Sequence, residues 1–161
     1  MNGKGLAPDP AGPPADGSGL RIAVVTSRFN AAVTEALAGA AVRTLCAAGV
    51  AETDIEWHEV PGAFELPLAV ELLLRRGGLD GVVALGCVIR GETPHFEYVC
   101  RGAATGLEAA ARAHAVPVGF GLLTTDDAAQ ARARAGGDRG NKGEEAARAV
   151  LEMCSFARSL R

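Results

Sequence analysis

The order of patterns along this chain predicts an α/β fold: a four-stranded parallel sheet covered by helices on both faces, a three-layer sandwich. Three observations carry that reading. Apolar runs of strand length alternate with stretches of helical periodicity from residue 20 to the end. Strands separated by helices run parallel, with the helices divided between the two faces. At 161 residues, with no internal repeat, the chain fits one domain with a real core.

Residues 1–19 are rich in Pro and Gly and contain, after Met1, one large apolar residue, Leu6. Such a segment cannot bury enough surface to offset its ordering entropy, so it is expected to be a flexible tail before a domain at 20–161. Leu20 to Thr26 reads as the first strand. Asn30 suits the cap of a helix starting at Ala31, whose apolar positions Val33, Leu37, Ala41, Val42 and Leu45 have helical spacing. Gly49 ends it. Asp54 to Val60 alternates like a strand near a sheet edge. Pro61 to Pro67 forms the next junction, and a helix follows over Leu68–Arg76 up to Gly77-Gly78.

Val82 to Ile89 has the length and composition of a buried central strand. The sequence then changes to Arg90-Gly91-Glu92-Thr93-Pro94-His95, before a helix expected from Phe96. Gly91 permits a turn or a close approach by a ligand. Thr93 suits an N-cap and Pro94 the first helical position, with Phe96, Val99, Cys100, Ala103 and Leu107 as the apolar stripe. The last strand lies within 114–124. Thr125 and Asp126 are expected to cap a short helix reaching Arg134, Gly136–Gly140 to form a loop, and Asn141 to start a final helix. The stripe predicted for that helix is Ala146, Ala149, Val150, Met153, Cys154 and Ala157.

Several function classes are disfavoured by composition. A formal charge of −3 argues against nucleic acid as the main partner. No apolar run approaches the ~18 residues that span a membrane, and no signal-peptide pattern opens the chain. Cys46, Cys87, Cys100 and Cys154 form no CxxC pair, so reduced, mostly buried thiols in a cytoplasmic protein are expected. No His/Cys cluster has zinc-ligand spacing.

Ligands of such sheets bind beyond the carboxyl ends of the strands. That nominates SRFN, PGAFE, IRGETPH and FGLLTTD. The turn 91–95 should present bare amides at a helix N-terminus, where an anion binds. His95 lies in the same turn and carries the side chain suited to proton transfer near neutral pH. Phe29 and Phe120 stand at strand ends in a chain only 4% aromatic, which suggests a stacking wall for a planar ring, although either could be core. Glu65 opens a helix, where it serves the dipole or accepts from a polyol. Apart from Lys4, Lys142 is the one lysine among arginines, and its place at a helix start favours a ligand or a carboxylate partner. Cys87, inside an apolar strand, should have a raised pKa and is not favoured as a nucleophile.

Together SRFN (27–30), PGAFELP (61–67), GCVIRGETPHFEYV (86–99), FGLLTTD (120–126) and GNKGEEAA (140–147) resemble the 6,7-dimethyl-8-ribityllumazine synthase family. The resemblance covers almost everything after residue 20 and implies a flavodoxin-like fold. It implies condensation of 5-amino-6-(D-ribitylamino)uracil with 3,4-dihydroxy-2-butanone 4-phosphate, without metal or redox cofactor. By position Phe29 would stack on the pyrimidine, while Ala63, Phe64 and Glu65 line the ribityl and ring site. Cys87, Val88 and Ile89 would contact the ring mainly through backbone. Glu92 and Thr93 would hold the phosphate, and His95 would transfer protons. Phe120 and Arg134 would come from a neighbouring subunit, Arg134 on the phosphate, and Lys142 would meet a ring carbonyl.

The family assembles as pentamers, some building sixty-subunit shells. The short connection Gly136–Gly140 points to the shell, and riboflavin synthase is an implied partner. One departure is Asp138, where many members carry lysine; the adjacent Arg139 is a candidate substitute. The alternatives are a non-catalytic lumazine- or riboflavin-binding shell protein and an FMN electron carrier of the same fold class. SRFN is a poor match for the Ser/Thr-rich phosphate loop the carrier would need.

Overall fold

The computed structural model describes residues 12–161. β1 (Ile22–Ser27) is followed by α1 (Ala31–Ala47), β2 (Ile55–Val60), α2 (Leu66–Arg76), β3 (Gly81–Ile89), α3 (His95–His114) and β4 (Val118–Thr125). The chain continues through α4 (Ala128–Ala133), β5 (Ala135–Gly137), β6 (Gly140–Asn141) and α5 (Lys142–Ser159). The main sheet is all parallel in the order β2-β1-β3-β4. β2 is an edge strand, as its alternation predicted.

Alternate side chains of the buried strands feed two cores. Ile22, Val24, Val83, Leu85 and Cys87 pack with α1, α4 and α5. Ala23, Val25, Val82, Ala84 and Leu122 pack with α2 and α3. Strands buried on both faces are apolar in near-continuous runs, as β3 is throughout and β1 is from Ile22 to Val25, before the buried Thr26 and Ser27. The predicted three-layer sandwich is therefore the observed one. α1 moves the chain from β1 to β2, and α2 brings it back past β1 to β3. The order reverses there, leaving a crevice between the carboxyl ends of β1 and β3.

Several local expectations need correction. Asn30 sits at the α1 cap position in the left-handed region (φ 60°), and its side chain does not cap the helix. Its Nδ2 donates instead to the Cys87 carbonyl at 2.9 Å. α2 begins at Leu66, two residues early, with Pro67 in its first turn. α3 begins at His95 with Pro94 at the cap; the Thr93 hydroxyl accepts a long 3.4 Å bond from the His95 amide. Asp127, not Thr125 or Asp126, caps α4 by accepting from the Gln130 amide.

The expected loop 136–140 is an antiparallel hairpin, β5 with β6. Asn141 caps α5 as predicted, its Oδ1 accepting from Gly143 and Glu144. The α5 stripe holds at Ala146, Val150 and Cys154 and extends to buried Ala147 and Leu151, whereas Ala149 and Met153 are exposed. A Cβ at Gly143 would overlap the Leu37 carbonyl, so glycine lets α5 start hard against α1. That close approach packs α5 against α1 as well as against the sheet, so its buried face is wider than a stripe facing the sheet alone.

Residues 1–11 of the predicted tail lie outside the described residues. Gly17 is buried and donates to the Ala48 carbonyl at 2.7 Å, and the Leu20 amide returns to Gly17.

Candidate active site

The β1 exit loop is pinned to the β2 exit loop, because Arg28 N–H donates to Val60 O (2.8 Å) and Phe29 N–H to Pro61 O (3.1 Å). These bonds place Phe29 beside Ala63–Glu65. Asn30, bonded to the Cys87 carbonyl, ties the same loop to β3. The result is a cleft of ≈ 560 Å³ lined by Phe29, Ala63, Phe64, Glu65, Cys87, Val88, Ile89, Thr93 and His95. It lies at the crevice where the strand order reverses. Nine of the predicted site residues thus meet in one cavity.

Its chemistry is divided. Phe29 is 71% exposed and Phe64 63%, so neither ring is core. Both offer an open aromatic face, which water solvates poorly and a planar ring would cover. A Gly102 Cβ would come within 3.1 Å of the Phe64 ring, so this small residue of α3 makes room for it. One Glu65 carboxylate oxygen accepts from the Gly62 amide at 3.0 Å; the carboxylate has further acceptor capacity for a ligand hydroxyl.

Cys87 is almost fully buried, and desolvation pushes its thiol up to about 11. A thiol kept protonated is a poor nucleophile. Among the described residues the amides of Gly91, Glu92 and Thr93 donate to no protein acceptor. A Cβ at Gly91 would meet nothing within 4 Å, so the turn is open to an approaching anion. Exposed His95 stands beside these amides.

Glu92 lies over an adjoining depression of ≈ 500 Å³, which shares Gly91, Thr93 and Tyr98 with the main cleft and also contains Arg90 and Arg101. Phe120, Arg134 and Lys142 stand elsewhere. They line a ≈ 380 Å³ cleft at the open β4 edge, together with Arg139 and Glu145. The two clefts share no lining residue. Lys142 pairs with Glu145 at 3.0 Å, the carboxylate alternative read from sequence, although in its own chain. Arg139 joins Arg134 in this cleft and Asp138 does not.

Sequence reasoning passed over Phe96, Tyr98 and Val99, which also line the main cleft. The signal was their place in the first five residues of α3. Among the described residues no cluster of three or more His, Cys, Asp or Glu is arranged for a metal, and no helix is long and apolar enough to cross a membrane.

The family model for 6,7-dimethyl-8-ribityllumazine synthase matches residues 19–158. The chain belongs to that family. Relatives bearing the same name agree with the match along nearly their whole length. The protein of Gemmatimonas aurantiaca is 53% identical over 145 residues, 89% of this chain and 88% of its own. That of Desulfovibrio desulfuricans is 49% identical over 137 residues, 85% and 88%. That of Pediococcus pentosaceus is 44% identical over 145 residues, 90% and 93%.

Proposed function

We propose that this chain condenses 5-amino-6-(D-ribitylamino)uracil with 3,4-dihydroxy-2-butanone 4-phosphate to 6,7-dimethyl-8-ribityllumazine, releasing phosphate and water, the penultimate step of riboflavin biosynthesis. The observation that carries the reading is the meeting of an exposed aromatic wall, a carboxylate, unpartnered amides and His95 at the sheet's switch point.

In this assignment Phe29 stacks on the pyrimidine, and Ala63, Phe64 and Glu65 receive the ribityl chain. Backbone groups of Cys87, Val88 and Ile89 read the ring. Thr93 and Glu92 flank the phosphate beside the bare amides. The amine adds to the ketone and loses water as an imine; phosphate then leaves, and a second condensation closes the ring. Each step moves protons, and His95 is the group placed to move them, an effect typically worth about 10²–10⁴ in rate. Holding two reactants together supplies about 7–11 kcal/mol more.

The site is completed by a neighbouring copy, which brings Phe120 to the ring, Arg134 to the phosphate and Lys142 to a ring carbonyl. Exposure of Leu68, Leu72, Met153 and Phe156 on helix faces supports self-association. A pentamer, in this chain built into a sixty-subunit shell, is the assembly assigned, and light scattering would size it. A cytoplasmic location and hand-over of product to a riboflavin synthase follow from the same reading.

Mixing both substrates with the purified protein and following product fluorescence together with phosphate release is the decisive experiment. Rates equal to the protein-free reaction, with product still bound, would instead mark a non-catalytic binding shell.

A further inference from the structure

Arg90, the first residue after β3, has no role in the assignments above, yet it holds three groups at once. Its Nε donates to Asp126 Oδ1 at 3.0 Å, and its Nη1 donates to Glu97 Oε1. Its guanidinium lies 4.3 Å from the centre of the Phe96 ring. Its backbone amide is also fixed, donating to Thr125 O at 2.8 Å.

Two paths lead outward from this fork. Phe96 and Glu97 are in the first turn of α3, directly after His95. In the other direction, the Asp126 amide donates to Gln130 Oε1 at 2.9 Å, and the Gln130 carbonyl accepts from Arg134 Nη1 at 3.1 Å. One side chain therefore ties the turn that carries His95 to the β4 exit, from which the Gln130 contacts run on to Arg134 at the end of α4. Two of its five N–H groups are engaged by carboxylates on different elements, which fixes the plane of the guanidinium.

We propose that Arg90 is a positioning residue that fixes His95 through Glu97 and Phe96, and Arg134 through Asp126 and Gln130. The proposal rests on the reaction assigned above. A planar fork is needed to reach two carboxylates in different directions; an ammonium offers one point charge. The three charged side chains are about half exposed or more, so the ion pairs themselves add little to folding. The effect belongs to geometry, where a misplacement of about 1 Å can cost on the order of 10²-fold.

The test is steady-state kinetics with both substrates on the wild-type assembly and on Arg90→Gln, Arg90→Lys, Glu97→Gln and Asp126→Asn. Thermal melting confirms that each variant folds. Glu97→Gln should lower kcat by about tenfold with little change in KM for the phosphate substrate. Asp126→Asn should raise that KM severalfold with kcat within about twofold. Arg90→Gln should do both, and Arg90→Lys should recover at most one of the two losses. If Arg90→Gln does not fold, the Lys, Glu97 and Asp126 variants carry the same split.

Arg90→Gln with both parameters within about twofold of wild type overturns the proposal. So does a rise in the phosphate-substrate KM alone with silent Glu97 and Asp126 variants, which would make Arg90 a phosphate ligand. A wild-type protein without activity fails the reaction assignment itself; an active wild type beside a silent Arg90→Gln fails only the clamp.

Discussion

Replacing Cys87 by alanine should leave turnover nearly intact, although Cys87 lines the cleft. The side chain is 2% exposed, and burial pushes its thiol up to about 11 from an ordinary 9.0. At pH 8 an ordinary thiol of that kind is about one-tenth ionised, whereas Cys87 is about one-thousandth ionised, a deficit of about 100-fold in nucleophile. What Cys87 contributes is its carbonyl, which receives the Asn30 amide and which alanine retains. Cys87→Ala should therefore keep kcat within about twofold, with a stability loss of about 1–2 kcal/mol from the missing sulfur. Asn30→Gly, which suits the left-handed backbone but removes the tie between the loops, should be the more damaging change. Steady-state kinetics on both variants, with iodoacetamide labelling of Cys87 followed by mass spectrometry, check this. A hundredfold fall in kcat for Cys87→Ala, or labelling at the rate of an exposed thiol at pH 8, would refute the reasoning.

Other consequences follow from the same geometry. His95→Ala should lower kcat by about 10²-fold or more but leave measurable turnover, since substrate positioning survives; single-turnover fluorescence would show it. Arg134→Ala should raise KM for the phosphate substrate more than that for the pyrimidine, measured by saturating each in turn. Stability should fall on the alkaline side. The Cys87 and Cys154 thiols are both raised to about 11 by burial, so the unfolded chain ionises first; their contribution is full below about pH 9 and is lost as pH rises through 11. Denaturant melts across that range would detect it, and Cys87→Ala should flatten the slope.

The layers were legible because the core is simple. Strands buried on both faces leave continuous apolar runs, and α1 shows its stripe at Val33, Leu37 and Ala41. The crevice was legible from topology, since strand ends carry the ligand in such sheets. Local side-chain choices were less legible. Asn30 has the residue type of an N-cap, but the left-handed backbone turns its amide to β3, and no short-range pattern encodes that choice. The α5 stripe was legible at Ala146, Val150 and Cys154 but not at Ala147 and Leu151, because α5 packs against α1 at Gly143 as well as against the sheet. β5 and β6 are too short and too rich in glycine to alternate. The Arg90 fork joins residues 36 apart in the chain, a distance at which spacing carries no information.

The separation of the two aromatic residues is the strongest physical reason for a shared site. Val25 of β1 and Phe120 of β4 both stand opposite Ala84 of β3. Two strand spacings put β1 and β4 about 10 Å apart, and Phe29 lies four residues beyond Val25, up to about 13 Å further along. Within one chain the two residues line separate clefts that have no lining residue in common. If Phe29 and Phe120 contact the same pyrimidine, they belong to different copies. Co-expressing His95→Ala with Arg134→Ala then tests the arrangement. In a randomly mixed ring about one quarter of the sites would join an intact His95 from one copy to an intact Arg134 from its neighbour. Recovery of about that fraction of wild-type activity, at low phosphate-substrate concentration, is the expected result. A site contained in one chain would always carry one lesion, so a mixture no more active than the two variants assayed separately would refute the shared site.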